Sequence, residues 1–345
     1  YTISNNYQLN QFGTVGLAFG TEPLYQGTEV ARPGEDAKKV EDENRARSIT
    51  LDDGASWNYQ TNDEAKNSPL PYLSQDTPMR TGSHVGFTKP VIMDYRFGWN
   101  LQPTGMVSGA QSPHSPITTT NDRPAKAPNF DSDLKLASFN VLNYFNGDGK
   151  GGGFPTSRGA NTAEEFQRKK AKIVAAILAS KADIVGLMEI ENDGYGEFSA
   201  IADLVNGLNA SLPQGQRYAF VNPNRAKLGS DEIAVGLIYR GDKVRIYRSA
   251  AVLDSSVNPE FDDTRNRPTL AQTFQEINGG ERLTIAVNHL KSKGSACDGD
   301  PDTGDGQGNC NLTRARAAQA LVDWLAGDPT GAKEPDRLII GDLNS

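Results

Sequence analysis

Cysteine and histidine are scarce in this sequence. Of its 345 residues, only two are cysteine and three are histidine. A structural zinc site usually needs four nitrogen or sulfur ligands, so zinc binding is disfavoured. Cys297 and Cys310 flank a loop rich in Gly and Asp, and a disulfide bond explains them better. Because disulfides persist in oxidising compartments, we expect a secreted, extracellular protein.

Long apolar runs and a positive net charge are also lacking. No run of about 18 apolar residues occurs, so we expect no membrane-spanning segment. The chain begins without Met or a signal peptide, and we expect that its start was cleaved or trimmed. Lys and Arg number 35 against 43 Asp and Glu, which gives a net charge of −8. An acidic enzyme that acts on phosphates would need metal ions and local basic patches to offset charge repulsion.

The residues that are present divide the chain into three segments. Gly and Pro are frequent, at 35 and 19 residues, which favours β structure and long loops over a helical bundle. Alternating apolar positions punctuated by Gly predict an irregular β domain over residues 1–108, with a charged segment at 35–47. Residues 109–130 are rich in Pro, Ser and Thr, which is typical of a stiff, extended linker. Strand and helix patterns alternate over residues 131–345 and predict a second domain.

The second domain combines amphipathic helices with apolar strands. Thr162 and Glu165 form a capping-box pattern before a helix that ends near Ala179, and two more helices are predicted near residues 198–208 and 317–325. The predicted strands are Leu134–Asn140, Ile184–Met188, Ile233–Tyr239, Val244–Arg248, Thr269–Phe274, Leu283–Asn288 and Leu338–Ile340. These lengths fit an α/β sandwich, in which two sheets pack face to face with helices outside.

Polar side chains stand at the ends of four predicted strands. We interpret the apolar run that ends at Ile340 as a buried strand. Gly341 follows it and allows backbone conformations that other residues disfavour. Asp342 and Asn344 follow at alternate positions and should point the same way. Such a pair of oxygens suits a hard cation such as Mg²⁺, or a water that must be oriented and deprotonated. The other polar strand ends carry Asn140, Glu189 and His289.

Taken in order, these strand ends resemble the signature of a known family. Phe-Asn-Val at Asn140, Glu-Ile at Glu189, Asn-His-Leu-Lys-Ser at His289 and Gly-Asp-Leu-Asn at Asp342 resemble the endonuclease/exonuclease/phosphatase superfamily, which has the fold of deoxyribonuclease I. The resemblance extends from Leu134 to the end of the sequence. It implies a metal-dependent phosphodiesterase that uses Mg²⁺ or Mn²⁺ and takes DNA or RNA as its substrate.

A closer resemblance is to large secreted bacterial nucleases, in which an oligonucleotide-binding-like β domain precedes the nuclease. Leu24-Tyr-Gln and Ile49-Thr-Leu-Asp-Asp-Gly look like parts of that β domain. The implied fold class is therefore α/β, a two-sheet α/β sandwich preceded by a mostly β, oligonucleotide-binding-like domain. Residues 1–108 would be the C-terminal part of that domain.

The resemblance also assigns roles to single residues. Glu189 corresponds to the metal-binding glutamate, and Asn140 to the asparagine that supports it in the metal site. Asp342 corresponds to the carboxylate that orients or deprotonates the attacking water and shares the metal, and Asn344 to the carboxamide beside it. His289 corresponds to the histidine that contacts the scissile phosphate.

Three further positions complete or depart from the family pattern. Arg267, just before Pro268, fits the phosphate-contacting arginine. Asp231 stands where the family has an active-site tyrosine, and Glu191 where it has an arginine. Asp231 and Glu191 thus stand where the family has side chains that contact the transition state. Because acids would repel the negative charge that develops there, we expect a second cation. We count Asp231 among the catalytic candidates.

Two features are weaker candidates. Residues 298–306 resemble a calcium loop but miss the EF-hand spacing, so Ca²⁺ is only an additional cofactor candidate. A set of basic residues could line a phosphate path, although a solvated helix face explains the first four as well. The set comprises Arg168, Lys169, Lys170, Lys172, Lys291 and Lys293.

The leading function is a secreted endonuclease with little sequence preference. A first alternative is a lipid or inositol phosphodiesterase, such as a sphingomyelinase, because the signature specifies the phosphate centre and not the leaving group. An exposed aromatic hairpin would favour that enzyme, and the sequence indicates none. A second alternative is a non-catalytic protein whose β domain binds nucleic acid.

The sequence ends at Ser345, one residue after Asn344. In the family that it resembles, more chain follows and brings an aspartate and a final histidine, which complete an acid–base pair opposite His289. A strand as apolar as the last one should also sit inside a sheet. We therefore expect the natural protein to continue beyond Ser345, and we expect these 345 residues alone not to turn over.

Overall fold

The computed structural model describes residues 1–121, 124, 126–128 and 131–344. The chain forms two compact units. Unit 1 comprises Tyr1–Ala125 with Gly304–Gly306, and unit 2 comprises Lys126–Thr303 with Gln307–Ser345. None of the described helices has the length and apolar character needed to cross a membrane.

Unit 1 contains a five-stranded sheet and a separate strand pair. Its elements in chain order are β1 (Thr2–Asn5), α1 (Leu9–Phe12), β2 (Val15–Ala18), α2 (Gly27–Val30), α3 (Glu35–Arg47), β3 (Ser48–Leu51), β4 (Val85–Phe87), β5 (Val91–Tyr95), β6 (Trp99–Pro103) and β7 (Ile117–Thr119). The sheet order is β1-β2-β3-β6-β5, and β4 pairs with β7. Val15, Leu17 and Leu51 lie in its apolar core. Short strands are thus present, while the oligonucleotide-binding-like topology stays a prediction.

Two features of the first segment differ from expectation. The charged segment at 35–47 is helix α3, in which acidic residues occupy the first turn and basic residues the last turn, as the helix dipole favours. Within the expected linker, residues 109–130, the structure has strand β7, because Ile117 is buried in the core of unit 1. Residues 122, 123, 125, 129 and 130 of that stretch lie outside the described residues.

Unit 2 contains two four-stranded sheets. Its elements in chain order are β8 (Leu136–Tyr144), α4 (Ala163–Ser180), β9 (Ile184–Glu191), α5 (Ala200–Asn209), β10 (Tyr218–Phe220), β11 (Ile233–Arg240), β12 (Val244–Leu253), β13 (Arg267–Glu276), β14 (Arg282–His289), α6 (Asn311–Ala326) and β15 (Arg337–Asp342). One sheet has the order β10-β11-β9-β8 and the other the order β12-β13-β14-β15. Every predicted strand of this segment is present, and β10 was not predicted.

The two sheets of unit 2 pack face to face. Leu237 of the first sheet and Phe274 of the second belong to one apolar core. The sheets approach closely at Gly186, where an added Cβ would lie 2.5 Å from Cδ1 of Ile340 and 2.9 Å from Cγ2 of Val287. Helices α4 and α5 pack on the first sheet, and α6 packs on the second. The predicted two-sheet α/β sandwich is therefore confirmed.

Helix α4 begins at the predicted cap. Thr162 is the N-cap residue, and its Oγ1 accepts a hydrogen bond from N of Glu165 at 3.2 Å. The reciprocal bond differs from a capping box, because Oε2 of Glu165 accepts from N of Asn161 at 2.7 Å. Both contacts satisfy N–H groups at the start of the helix.

Among the described strands, β15 lies at the end of its sheet, whereas its apolar residues predict a strand inside a sheet. It pairs in parallel with β14 and has no second neighbour among the described strands. Leu338 and Ile339 are each 37% exposed, because an edge strand is covered on one side only. Ser345 lies outside the described residues.

Candidate active site

The polar ends of four strands meet at one edge of the two facing sheets. β8 and β9 run in parallel and carry Asn140 and Glu189, while β14 and β15 run in parallel and end at His289 and Asp342. Nδ2 of Asn140 donates to Oε1 of Glu189 at 3.0 Å and to Oδ2 of Asp342 at 3.4 Å. Nε2 of His289 lies 3.9 Å from the same oxygen of Asp342. The structure thus brings together four residues predicted from separate strands.

Irregular backbone orients the side chains of β8 and β9. The pairing of the two strands shifts between Asn140 and Tyr144, and Glu189 has a φ of 63°, which is uncommon for a residue other than glycine. Oε2 of Glu189 accepts from N of Asn143 at 3.1 Å, and Oδ1 of Asn140 accepts from N of Leu142 at 2.9 Å. Strained backbone of this kind clusters at functional sites, where neighbouring contacts hold it in place.

The carboxylates of Glu189 and Asp342 form a site that fits a hard divalent cation. Mg²⁺ is usually bound by one or two carboxylates, and water and substrate oxygens supply the other ligands. The amide nitrogen of Asn140 contacts both carboxylates, and its oxygen accepts from N of Leu142, while its assignment to the metal site stays a prediction. Among the described residues, no cluster of three or more His, Cys, Asp and Glu side chains could hold an ion.

His289 is buried at the end of β14, with 3% of its surface exposed. Burial, with a smaller contribution from the charge of Arg267, lowers the pKa of His289 to about 4, although Asp342 and Glu189 oppose the shift. The ring is therefore neutral at pH 7. Its Nδ1 has no hydrogen-bond partner in the described part of the chain. A buried nitrogen without a partner is rare in native proteins, and Nε2, the other ring nitrogen, is the one that lies beside Asp342.

Asn344 fixes the backbone after β15. Its N donates to Oδ1 of Asp342 at 3.1 Å, and its Nδ2 donates to O of Leu290 at 3.0 Å. At Gly341, with a φ of 132°, an added Cβ would lie 2.0 Å from O of Asn288, so only glycine fits between β14 and β15. Asp342 and Asn344 thus lie in the site as predicted, and the amide of Asn344 is bound to the backbone.

Arg267 lies opposite His289 in the pairing of β13 and β14. Its Nε is 3.3 Å from Oδ2 of Asp231, an ion-pair distance, although no described residue gives that buried nitrogen an aligned hydrogen bond. Burial lowers the pKa of Arg267, and the carboxylate of Asp231 opposes this shift. The structure therefore places Arg267 beside His289 and Asp231, two other residues predicted for the site.

Arg158 is a site residue that is not among those predicted from the sequence. Its Nη1 lies 3.2 Å from Oδ1 of Asp231. Asp231 therefore stands between the guanidinium groups of Arg158 and Arg267. The expected second cation stays a prediction, and Arg158 is the additional positive group that the structure places beside Asp231. Arg158 lies in the loop after β8, where no periodic pattern marks it.

Glu191, the other departure from the family pattern, is bound to the loop after β8. Its Oε2 accepts from N of Asn146 at 3.1 Å. Burial, together with the charge of Asp193, raises the pKa of Glu191 to about 7. Glu191 therefore supports the loop that carries Arg158.

Several of the basic candidates are engaged in structural contacts. Lys169 donates to the backbone carbonyls of Leu142 and Asn143, and Lys170 forms an ion pair with Asp203 at 2.6 Å. The buried ammonium group of Lys291 donates to two nearby serines. A phosphate path along these three lysines is therefore not supported.

The disulfide between Cys297 and Cys310 is present, as predicted. In the loop that it closes, the carboxylate of Asp300 accepts from N of Leu312 at 3.1 Å and from N of Thr313 at 2.8 Å. Asp300 thus satisfies free N–H groups at the start of α6. Among the described residues, no calcium-binding cluster is found in this loop.

Solved structures resemble the chain, whereas no protein-family model and no curated protein matches it. The human Nocturnin catalytic domain with bound sulfate is 20% identical at a TM-score of 0.38, covering 61% of this chain and 64% of that one. An endonuclease/exonuclease/phosphatase family protein from Bacteroides thetaiotaomicron is 17% identical at a TM-score of 0.38, covering 61% and 63%. A humanized D. rerio TDP2 is 15% identical at a TM-score of 0.36, covering 62% and 64%.

One of these matched proteins is described as a member of the family that the sequence resembles. The chain spans less than two thirds of the length of each of the three proteins. At such identities the similarity concerns the fold alone.

Proposed function

We propose that unit 2 carries the site of a secreted, divalent-metal-dependent endonuclease that hydrolyses DNA or RNA with little sequence preference. The observation that supports this most is the carboxylate pair of Glu189 and Asp342, which the amide of Asn140 joins beside the buried His289. Carboxylates from two facing sheets repel each other, and a divalent cation between them would remove that repulsion.

The residues of the site can serve the separate needs of phosphodiester hydrolysis. Asp342, placed beside His289, can accept a proton from the attacking water. Arg267 and the neutral ring of His289 can donate hydrogen bonds to phosphoryl oxygens, where negative charge develops. Mg²⁺ or Mn²⁺ held by Glu189 and Asp342 would neutralise part of that charge.

The Cys297–Cys310 disulfide supports the secreted location. Disulfides are rare in reducing compartments and persist in extracellular ones. The net charge of −8 also means that substrate binding must depend on local cations and not on the charge of the whole chain.

A lipid phosphodiesterase is a second candidate, which one observation in unit 1 favours. The sequence indicates no exposed aromatic hairpin, and this expectation is wrong, because the β5–β6 hairpin exposes Tyr95, Phe97 and Trp99. The rings of Tyr95 and Trp99 contact edge to face, with centroids 5.2 Å apart. Exposed aromatic groups of this kind occur on surfaces that bind membranes or other partners.

The experiment that separates the candidates compares two substrates under identical conditions. We expect the full-length natural protein to nick and linearise supercoiled plasmid DNA with Mg²⁺ or Mn²⁺, and a chelator to abolish the reaction. Vesicles that contain sphingomyelin or phosphatidylinositol should release no headgroup. Headgroup release without plasmid cleavage would favour the lipid enzyme. The absence of both reactions would favour the non-catalytic binding protein.

A further inference from the structure

We propose that Arg158 binds the phosphate next to the scissile one, so that the site favours a chain of phosphodiesters over an isolated phosphodiester. This deepens the proposed function and rests on it, because it concerns the same site. The substrate class is a polyanionic nucleic-acid strand. A lipid headgroup with a single phosphodiester would leave Arg158 without a ligand.

Two carboxylates fix the orientation of Arg158. Its Nη1 lies 3.2 Å from Oδ1 of Asp231, and its Nε lies 3.1 Å from Oε2 of Glu232. A guanidinium group has five N–H donors in one plane, so donors remain for another acceptor. The side chain is 40% exposed, which leaves those donors accessible to an anion. A planar fork of this kind suits phosphate oxygens.

The backbone that carries Arg158 is also held in place. N and Oγ1 of Thr156 both donate to O of Ala160, at 3.1 Å and 2.9 Å, and close a turn around Arg158. At the start of the loop, Nδ2 of Asn146 donates to O of Phe198 at 2.9 Å. A side chain on an ordered loop loses less conformational freedom when its ligand binds, which strengthens binding.

Asp231 links Arg158 to the centre of the site. Its Oδ2 lies 3.3 Å from Nε of Arg267, which is paired in register with His289. Arg267 is therefore adjacent to His289, and Arg158 lies beyond it, on the other side of the Asp231 carboxylate. A nucleic-acid strand that places one phosphate at His289 and Arg267 carries its next phosphate one nucleotide away. Arg158 is the cation positioned on that outer side.

The free donors of Arg158, and not an excess of charge, would bind an anion at this place. Arg158 and Arg267 are balanced by Asp231 and Glu232, so the four side chains together carry no net charge. Without Arg158, the carboxylate of Asp231 would repel a phosphate strand. Ion pairs this exposed add little to stability, so a structural role alone does not explain the arrangement.

The test uses thymidine trimers and follows the cleavage of one phosphodiester linkage, with the two possible products resolved by chromatography. The neighbouring linkage is either a second phosphodiester or a neutral methylphosphonate, placed on each side in turn. Arg158→Ala should lower kcat/KM about tenfold on the charged trimer, the loss expected for one charge-assisted hydrogen bond. On the trimer whose neutral linkage occupies the Arg158 side, the same variant should react like the wild type. Arg158→Lys keeps the charge without the planar fork and should lose less.

Two controls accompany the kinetics. Arg217→Ala removes an exposed arginine at a distance from these contacts and should leave both trimers unaffected. Binding of a labelled hexanucleotide in chelator, followed by fluorescence anisotropy, should weaken about tenfold in Arg158→Ala without any turnover. Melting temperatures verify that each variant is folded. If Arg158→Ala does not fold, Arg158→Lys is compared with the wild type instead.

The outcomes separate the subsite from the function. Equal losses on the charged and neutral trimers would overturn the subsite and leave the nuclease function standing. Failure of the wild-type protein to cleave any trimer or plasmid DNA would overturn both. A loss confined to the charged neighbour supports both.

Discussion

At the scale of single residues, each side chain of the site is held by a contact from another strand or loop. The amide of Asn140 in β8 binds carboxylates of β9 and β15, and Asp231 binds guanidinium groups from a loop and from β13. Contacts of this kind orient ligands and donors, and they determine affinity as much as the ligands do.

Replacing Asn140 tests whether the carboxylate pair needs this support. Asn140→Ala removes the N–H donors that contact Glu189 and Asp342, so the two carboxylates are no longer held in position for a metal ion. We expect the affinity for Mg²⁺ or Mn²⁺ to fall about tenfold or more, measured by calorimetry and by metal titration of activity. Asn206→Ala, on the exposed side of α5, is the control and should change neither. Unchanged metal affinity in Asn140→Ala would contradict this role.

A buried carboxylate makes the stability of unit 1 dependent on pH. Burial raises the pKa of Asp53 from 3.8 to about 6, against the hydrogen bonds from Tyr59 and Ala55. Between these values the folded state binds more protons than the unfolded state, so stability is full below pH 3.8 and falls as pH rises towards 6.

Asp53→Asn isolates this effect from those of other groups. The free energy of opening, from hydrogen exchange of amides around Asp53, should fall between about pH 4 and pH 7 in the wild type relative to Asp53→Asn. A difference between the two proteins that does not vary with pH would show that Asp53 does not titrate in this range.

The residues of the site could be predicted to the extent that each lies in a local pattern. Asn140, Glu189, His289 and Asp342 each follow an apolar strand, so periodicity and motif identify them together. Arg158 could not be found in this way, because its contact with Asp231 joins two loops that are distant in sequence. The amide orientation of Asn140 depends on N of Leu142, which only the folded backbone positions.

At the scale of elements, the sequence predicts the helices that have an apolar stripe, such as α4, and does not predict α3, which is largely exposed. α4 buries Phe166, Ile173 and Ile177 at helical spacing. α3 buries only Ala37, so its sequence has no stripe to reveal it. β15 shows the opposite case, because its apolar residues predict burial while its place at the edge of the sheet leaves it half covered. Composition alone does not indicate how many neighbours a strand has.

The cap of α4 supplies a prediction at this scale. Thr162→Ala removes the oxygen that accepts from N of Glu165 and should lower the free energy of unfolding by about 1 kcal/mol. Thr162→Ser keeps that oxygen and should stay near the wild type. Chemical unfolding followed by circular dichroism measures both. Equal stability of Thr162→Ala and Thr162→Ser would mean that the cap contributes nothing.

At the scale of the whole molecule, the disulfide constrains one loop of unit 2. Cys297 and Cys310 are 13 residues apart, and closing such a loop is worth about 3 kcal/mol in the chain-entropy model. Reduction should therefore increase hydrogen exchange in the loop while the two sheets keep their protection. Labelling of free thiols before reduction should find none. Loss of protection throughout unit 2 on reduction would contradict this local role.

The central claim is that Glu189 binds the metal with which unit 2 hydrolyses phosphodiesters. The most direct measurement is the rate of plasmid cleavage by Glu189→Gln at saturating Mg²⁺, with Glu197→Gln, an exposed glutamate, as the matched control. We expect the control to cleave like the wild type. Glu189→Gln should lose activity while its circular dichroism and melting temperature stay unchanged, because the substitution removes a charge and no core contact. A folded Glu189→Gln protein that retains more than about a tenth of the wild-type rate would contradict the claim.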